Sequence, residues 1–183
     1  MASSRGSVAK IVSFNFDDII ELYLSYFGHD ISIGVNLPAW NRCADVLVLH
    51  PHGLLPSDLS KPIPRLIVFT QADYDDVIGN TSDEWHEAIL GVFRSHTCLF
   101  IGLSGNDRNL TSLLKKANDT HACRQTGELY WGIRFALDGD ALVPIWEKRG
   151  VFHRCVNDYA EIPSILFDIC QHAARLHQRI VGL

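Results

Sequence analysis

None of the five cysteines, Cys43, Cys98, Cys123, Cys155 and Cys170, forms a C-x-x-C pair with another. That spacing gives no zinc ribbon or finger, and no metal is expected. The count is odd and nothing marks the chain for export, so reduced thiols and a cytoplasmic location are expected. Cys98 lies within an apolar run and is expected in the core. No apolar stretch approaches the ~20 residues of a membrane span, so no membrane partner is expected. The opening MASSRGS lacks the apolar centre of a signal peptide and reads as a flexible tail over residues 1–7. An excess of positive charge is missing too. The net charge of −5 leaves no electrostatic footprint for nucleic acid, and no direct nucleic-acid binding is expected. Neither a G-x-G-x-x-G fingerprint nor a P-loop occurs. There is no internal repeat, low-complexity tract or linker.

What remains is a chain of 183 residues, 47% apolar and 20% charged, enough for one globular domain with a real core. Its organising stretch is Val8 to Asp18, VAKIVSFNFDD. Ile11-Val12-Ser13-Phe14 reads as a buried strand that delivers Asn15, Phe16, Asp17 and Asp18 to the start of an amphipathic helix. Asp17 and Asp18 suit the positive end of that helix, and Gly28 suits the left-handed position after its last turn. Asn15 and Asp17 thus stand at the carboxyl end of a strand, where open α/β sheets bind ligands.

Asp30 to Asn41 reads as a loop with short extended pieces. Asp45 to Leu49 is a second strand ending in His50-Pro51-His52-Gly53. Pro56 to Pro64 is a connection, and Arg65 to Thr70 a third strand. Ser82 or Asp83 opens a helix through Ser95 with Trp85, Ile89, Leu90 and Phe93 on its core face. Thr97 to Gly102 is a fourth strand, followed by a helix over Asp107 to Asn118. Leu129 to Leu137 and Gly150 to Val156 are the fifth and sixth strands, with a short helix over Asp140 to Arg149. Ile162 to Ile180 closes the chain as a helix. Strands alternating with helices predict an α/β, Rossmann-like fold over residues 8–183: a mostly parallel sheet with helices on both faces.

Three polar clusters fall at strand ends. Asn15 with Asp17 can hydrogen-bond a ribose, a carboxamide or a water; equally, Asp17 can cap its helix and Asn15 can bond its own turn. His50 and His52 include a candidate general base. At i and i+2 along an extended segment they point to opposite sides, so at most one faces a cleft. Both can equally be ordinary loop histidines. Gly102 to Asp107, G-L-S-G-N-D, allows close backbone approach and can hold an anion at the following helix start; an ordinary capped turn is the alternative.

Taken in order, S-F-N-F-D-D, H-G, T-Q-A-D-Y and F-I-G-L-S-G-N-D-R-N-L resemble the sirtuin-like NAD-binding family. The closer likeness is to its bacterial branch of NAD-consuming anti-phage defence effectors. Asn15, Phe16 and Asp17 match the first element, and His52 and Gly53 the second. Thr70, Asp73 and Tyr74 match the third, and Gly102, Ser104, Asp107 and Asn109 the fourth. The resemblance spans Ile11 to Leu114.

It implies NAD as substrate and cleavage of the nicotinamide–ribose bond. Asn15 would contact the nicotinamide ribose or position the attacking water, and Asp17 would orient the nicotinamide side or support Asn15. His52 would contact ribose hydroxyls and act as base. Phe16 and Gly53 would flank the cofactor, Gly102 and Ser104 would line the adenosine side, and Asp107 would bond sugar or cap its helix. Asp73 and Tyr74 would be structural. Leu54 to Phe69 carries no cysteine, so the zinc module of the deacetylases is not expected, and deacetylation is disfavoured. The family's first strand and glycine-rich phosphate loop are not matched. This leaves room for a missing N-terminal segment, a partner chain or a homo-oligomer. Two functions stay open: an NAD glycohydrolase or part of one, and a non-catalytic ligand-sensing or interaction module. A plain dehydrogenase lacks its usual fingerprint.

Overall fold

A computed structural model of the chain describes residues 8–39, 44–58, 60–61, 67–68, 70–74, 84–103, 108–122 and 130–181. They fall into two compact units, Met1–Trp85 with Cys170–Leu183, and His86–Ile169.

The first unit is built on β3 (Val46–Leu49), which lies between β1 (Lys10–Val12) and β2 (Ile31–Gly34), all parallel. The register places Ile11 and Ile33 beside Val48. Every residue of β3 is buried, as a central strand covered on both faces requires. Its alternation divides the core. Val46 and Val48 pack with Ile11, Ile31 and with Leu24 of α1 (Ile19–Tyr26). Leu47 and Leu49 pack with Val12, Leu37, Ala39 and Trp85. Burying each such side chain is worth roughly 1.5–3 kcal/mol.

Helix α1 ends as expected. Gly28 has φ +77°, its N–H meets Ser25 O at 2.9 Å and the His29 N–H meets Leu24 O at 3.1 Å. This is the paired 5→2 and 6→1 closure that a left-handed glycine permits.

Strand β2 lies in the stretch expected to be mainly loop. Within β2 only Ile31 and Ile33 are large and apolar, too little for a local pattern to be decisive; pairing with β3 supplies the rest. The expected third strand, Arg65 to Thr70, falls largely outside the described residues; Ile67 and Val68 are in no strand. A one-turn helix, α2 (Gln71–Tyr74), follows.

In the second unit β5 (Gly132–Leu137) lies between β4 (Cys98–Phe100) and β6 (Val151–Val156), again all parallel. Helices α3 (Glu84–Ser95), α4 (Arg108–Ala122) and α5 (Val143–Glu147) fall close to their expected positions. Phe93, Phe100, Trp131 and Trp146 form an aromatic core, with ring centroids 5.1–5.7 Å apart along its contacts. Phe135 and Val156 pack with Ile162, Ile165 and Leu166 from the first turns of α6 (Ile162–Val181). Parallel strands joined through helices make the chain an α/β, Rossmann-like fold, as expected. Cys98 is only partly buried rather than a full core residue.

No helix among the described residues is long and apolar enough to cross a membrane. No group of three or more His, Cys, Asp or Glu among them is placed to hold a metal ion.

Candidate functional site

Strand β1 ends where Ser13 N donates to Leu49 O at 2.9 Å, and the chain then leaves the sheet as Phe14-Asn15-Phe16. β3 ends one residue later on its own side, in a turn over Pro51-His52 closed by Gly53 N to His50 O at 3.1 Å. Gly53 has φ +90°, a conformation in which a side chain is strained. This turn replaces the extended geometry expected for His50 and His52, so the two rings do not simply alternate across a strand.

Both rings reach the 14–16 segment instead. His52 Nδ1 lies 3.1 Å from Phe14 O, and His50 Nδ1 lies 3.2 Å from Asn15 O. Leu55 N donates to Phe16 O at 2.6 Å. Three successive carbonyls are thus held by one loop. Asp18 adds a fourth tie, accepting from Ser57 N at 3.0 Å and Ser57 Oγ at 3.1 Å. Burial pushes the Asp18 carboxyl upward, but the Ser57 bonds outweigh it and hold the group below its ordinary value.

The sequence-predicted residues of this unit come together here. Asn15 is exposed, and its side-chain amide bonds no described residue. Its N–H meets Ser13 Oγ at 3.3 Å. His52 is half-buried between Phe14 and Phe16, at centroid distances of 5.2 and 6.1 Å. A carbonyl only accepts, so His52 Nδ1 carries the hydrogen and the neutral ring keeps its lone pair on Nε2. Asp17 accepts from Ile19 N at 3.3 Å, a bond to the first turn of α1.

His50 is completely buried, with Nε2 2.5 Å from a carboxylate oxygen of Glu21. Glu21 is itself only 5% exposed. Sequence reading did not single out Glu21, because an acid in an exposed-looking helix carries no signal until its partner is known. Thr70 and Asp73 cap α2 reciprocally, Thr70 N to Asp73 Oδ2 at 3.0 Å and Asp73 N to Thr70 Oγ1 at 3.1 Å. The T-x-x-D spacing is thereby explained locally.

In the second unit Gly102 has φ +71° and is exposed, directly after β4. Ser104 and Asp107 lie outside the described residues, and the side chain of Asn109 is not described. Arg134, 4% exposed, donates from Nε to Leu103 O at 3.1 Å and from Nη2 to Asp140 Oδ2 at 2.8 Å. It thereby holds the loop that Gly102 begins. The Asp140 carboxyl is held below its ordinary value first by the Leu142 N–H and then, against burial, by Arg134 and His153.

A family model described as a SIR2-like domain matches residues 9–152, well over half of the chain. No curated protein matches it. The matched span includes the Asn15 segment, the His52 turn and the Gly102 loop, and SIR2-like proteins bind NAD. The chain belongs to the SIR2-like family.

Proposed function

We propose that the chain is an NAD+ glycohydrolase, or the C-terminal portion of one, that depletes NAD+ as a defence effector in the cytoplasm. The observation that carries this reading is that the segment after β1, with its exposed Asn15, is tied to the turn after β3 through His52, whose Nδ1 meets the Phe14 carbonyl. The donor set suits the substrate: an amide and an imidazole for ribose hydroxyls and a water, with the Asp17 carboxylate in the same loop.

When bound, NAD+ supplies its own leaving group, a pyridinium that departs as neutral nicotinamide and needs no acid. The resemblance assigns His52 the proton of the attacking water; its Nε2 is buried here, so that water needs an opening beside the ring. Asn15 orients that water or the ribose, and Asp17 keeps Asn15 at the mouth of α1 and favours positive charge there. Phe16 and Gly53 shape the wall beside His52. The resemblance assigns Gly102, Ser104 and Asp107 to the adenosine side.

The test is NAD+ turnover by the purified chain, reading nicotinamide and ADP-ribose by chromatography. His52→Ala and Asn15→Ala are expected to lower kcat by about 10²-fold or more with circular dichroism unchanged. Equal turnover in both variants rejects the site. A folded wild-type chain that binds NAD+ without turnover points to the ligand-sensing module instead.

A further inference from the structure

Helix α1 sends Leu24 to the core, yet buries an acid and leaves large apolar side chains outside. It exposes Ile19, Leu22, Tyr23 and Tyr26 while burying the acid Glu21. Glu21 meets His50, which has no exposed surface at all. Removing two ionisable groups from water is unfavourable unless each finds a partner, and apolar side chains of similar size commonly serve stability as well or better. The second oxygen of Glu21 has no hydrogen-bond partner among the described residues, so the pair is not optimised for stability.

The ring's other nitrogen shows what the pair holds. His50 Nδ1 faces Asn15 O, an acceptor only, and Nε2 faces a carboxylate. A neutral imidazole has one N–H and cannot serve two acceptors. Both contacts are satisfied when one proton lies between Nε2 and Glu21, on either partner. In both forms Nδ1–H points at Asn15 O. Two residues along the same turn, His52 holds Phe14 O.

We infer that Glu21 and His50 are a positioning pair that fixes the Asn15 carbonyl, and so sets the aim of the Asn15 amide relative to His52. This rests on the NAD-cleaving reading above. Glu21 touches no reacting atom; it acts through His50 on one peptide plane. Displacements of about 1 Å in such a site can cost 10²-fold in rate, which gives the contact its leverage.

The test compares wild type with Glu21→Gln, Glu21→Leu and the double variant Glu21→Leu/His50→Leu. Two quantities are read: steady-state NAD+ hydrolysis and amide hydrogen exchange over residues 13–19 and 50–57. Gln can donate its amide hydrogen to Nε2 and leave Nδ1–H on Asn15 O. Glu21→Gln is therefore expected within about threefold of wild type in kcat. Glu21→Leu orphans Nε2 and can fail to fold. The double variant removes both buried polar groups together and is expected to melt near or above wild type. In it kcat should fall at least about tenfold with KM within about threefold, and the 14–16 segment and the Leu55 amide should lose protection.

A double variant that folds with wild-type kcat and wild-type protection overturns the inference. If wild type itself does not hydrolyse NAD+, the reading of this chain as a complete NAD-cleaving enzyme fails. The exchange comparison then still decides: lost protection sustains the anchoring of Asn15, and unchanged protection rejects it.

Discussion

Gly34 is confined to glycine by its neighbours. A Cβ built there would stand 2.7 Å from both Ala39 Cβ and Leu49 Cδ2, closer than real contacts allow. Gly34→Ala is expected to cost about 1–3 kcal/mol through overpacking, read as a lower denaturant midpoint with an unchanged slope. The same change shifts Gly34 O, which accepts the His50 N–H at 2.9 Å, so it should also disturb the turn that carries His52. Gly28 was legible in the sequence because a helix stop is a local signal; Gly34 was not, because its crowding comes from residues 5 and 15 positions away. Glu21 and His50 escaped for the same reason, being 29 residues apart. Among the thiols, burial pushes Cys98 up to about 12. Cys155 is exposed. Thiol labelling of the folded chain near neutral pH is therefore expected to modify Cys155 well before Cys98, since the thiolate is the nucleophile. Equal labelling rates would show that β4 opens readily.

At the scale of elements, α1 is held at its start by a side chain from the loop after β3. Asp18 accepts two bonds from Ser57, and its carboxyl is depressed below the ordinary value near 3.8. A depressed folded value means the tie contributes fully above the unfolded value and is lost as pH falls through the folded one. Ser57→Ala removes one of the two bonds. It is expected to destabilise by roughly a few tenths of a kcal/mol near neutral pH, a small effect because solvent screens the group. The difference should shrink in acid below the folded value, when Asp18 is protonated in both proteins. Urea midpoints at the two pH values check this; a difference that grows in acid contradicts the linkage. The two termini of α1 were readable from Asp17, Asp18 and Gly28. Strand β2 was not, because its four residues become a strand only by register with β3. Thr70 and Asp73 show the converse case: a spacing that looks like a site motif is also a capping box.

At the scale of the whole molecule, each unit has, among the described residues, a buried ionisable side chain that, with an ionisable partner, grips a backbone carbonyl of a strand-end segment. Glu21 and His50 take Asn15 O; Arg134, paired with Asp140, takes Leu103 O. The apolar run of β3 and parallel strand pairing were legible from apolar runs punctuated by helices, although one sheet was expected and the described strands form two. The pairs were not, since hydropathy assigns charge to the surface. A core of aliphatic side chains would bind the sheets equally well but has no donor for a loop carbonyl, so polar burial at these positions fits a need for loop geometry. Arg134 makes the second pair testable by itself. Its guanidinium also lies 5.2 Å from the Trp146 ring, so it is held from three sides. Asp140→Ala leaves a buried cation without its counter-charge and is expected to cost up to about 3–5 kcal/mol, whereas Arg134→Met/Asp140→Leu removes both charges and should recover most of that loss. If the pair serves the loop, the double variant will regain stability without regaining amide protection at residues 101–103. Full recovery of both would mean that the ion pair only fills space and that the loop after β4 is held by other contacts.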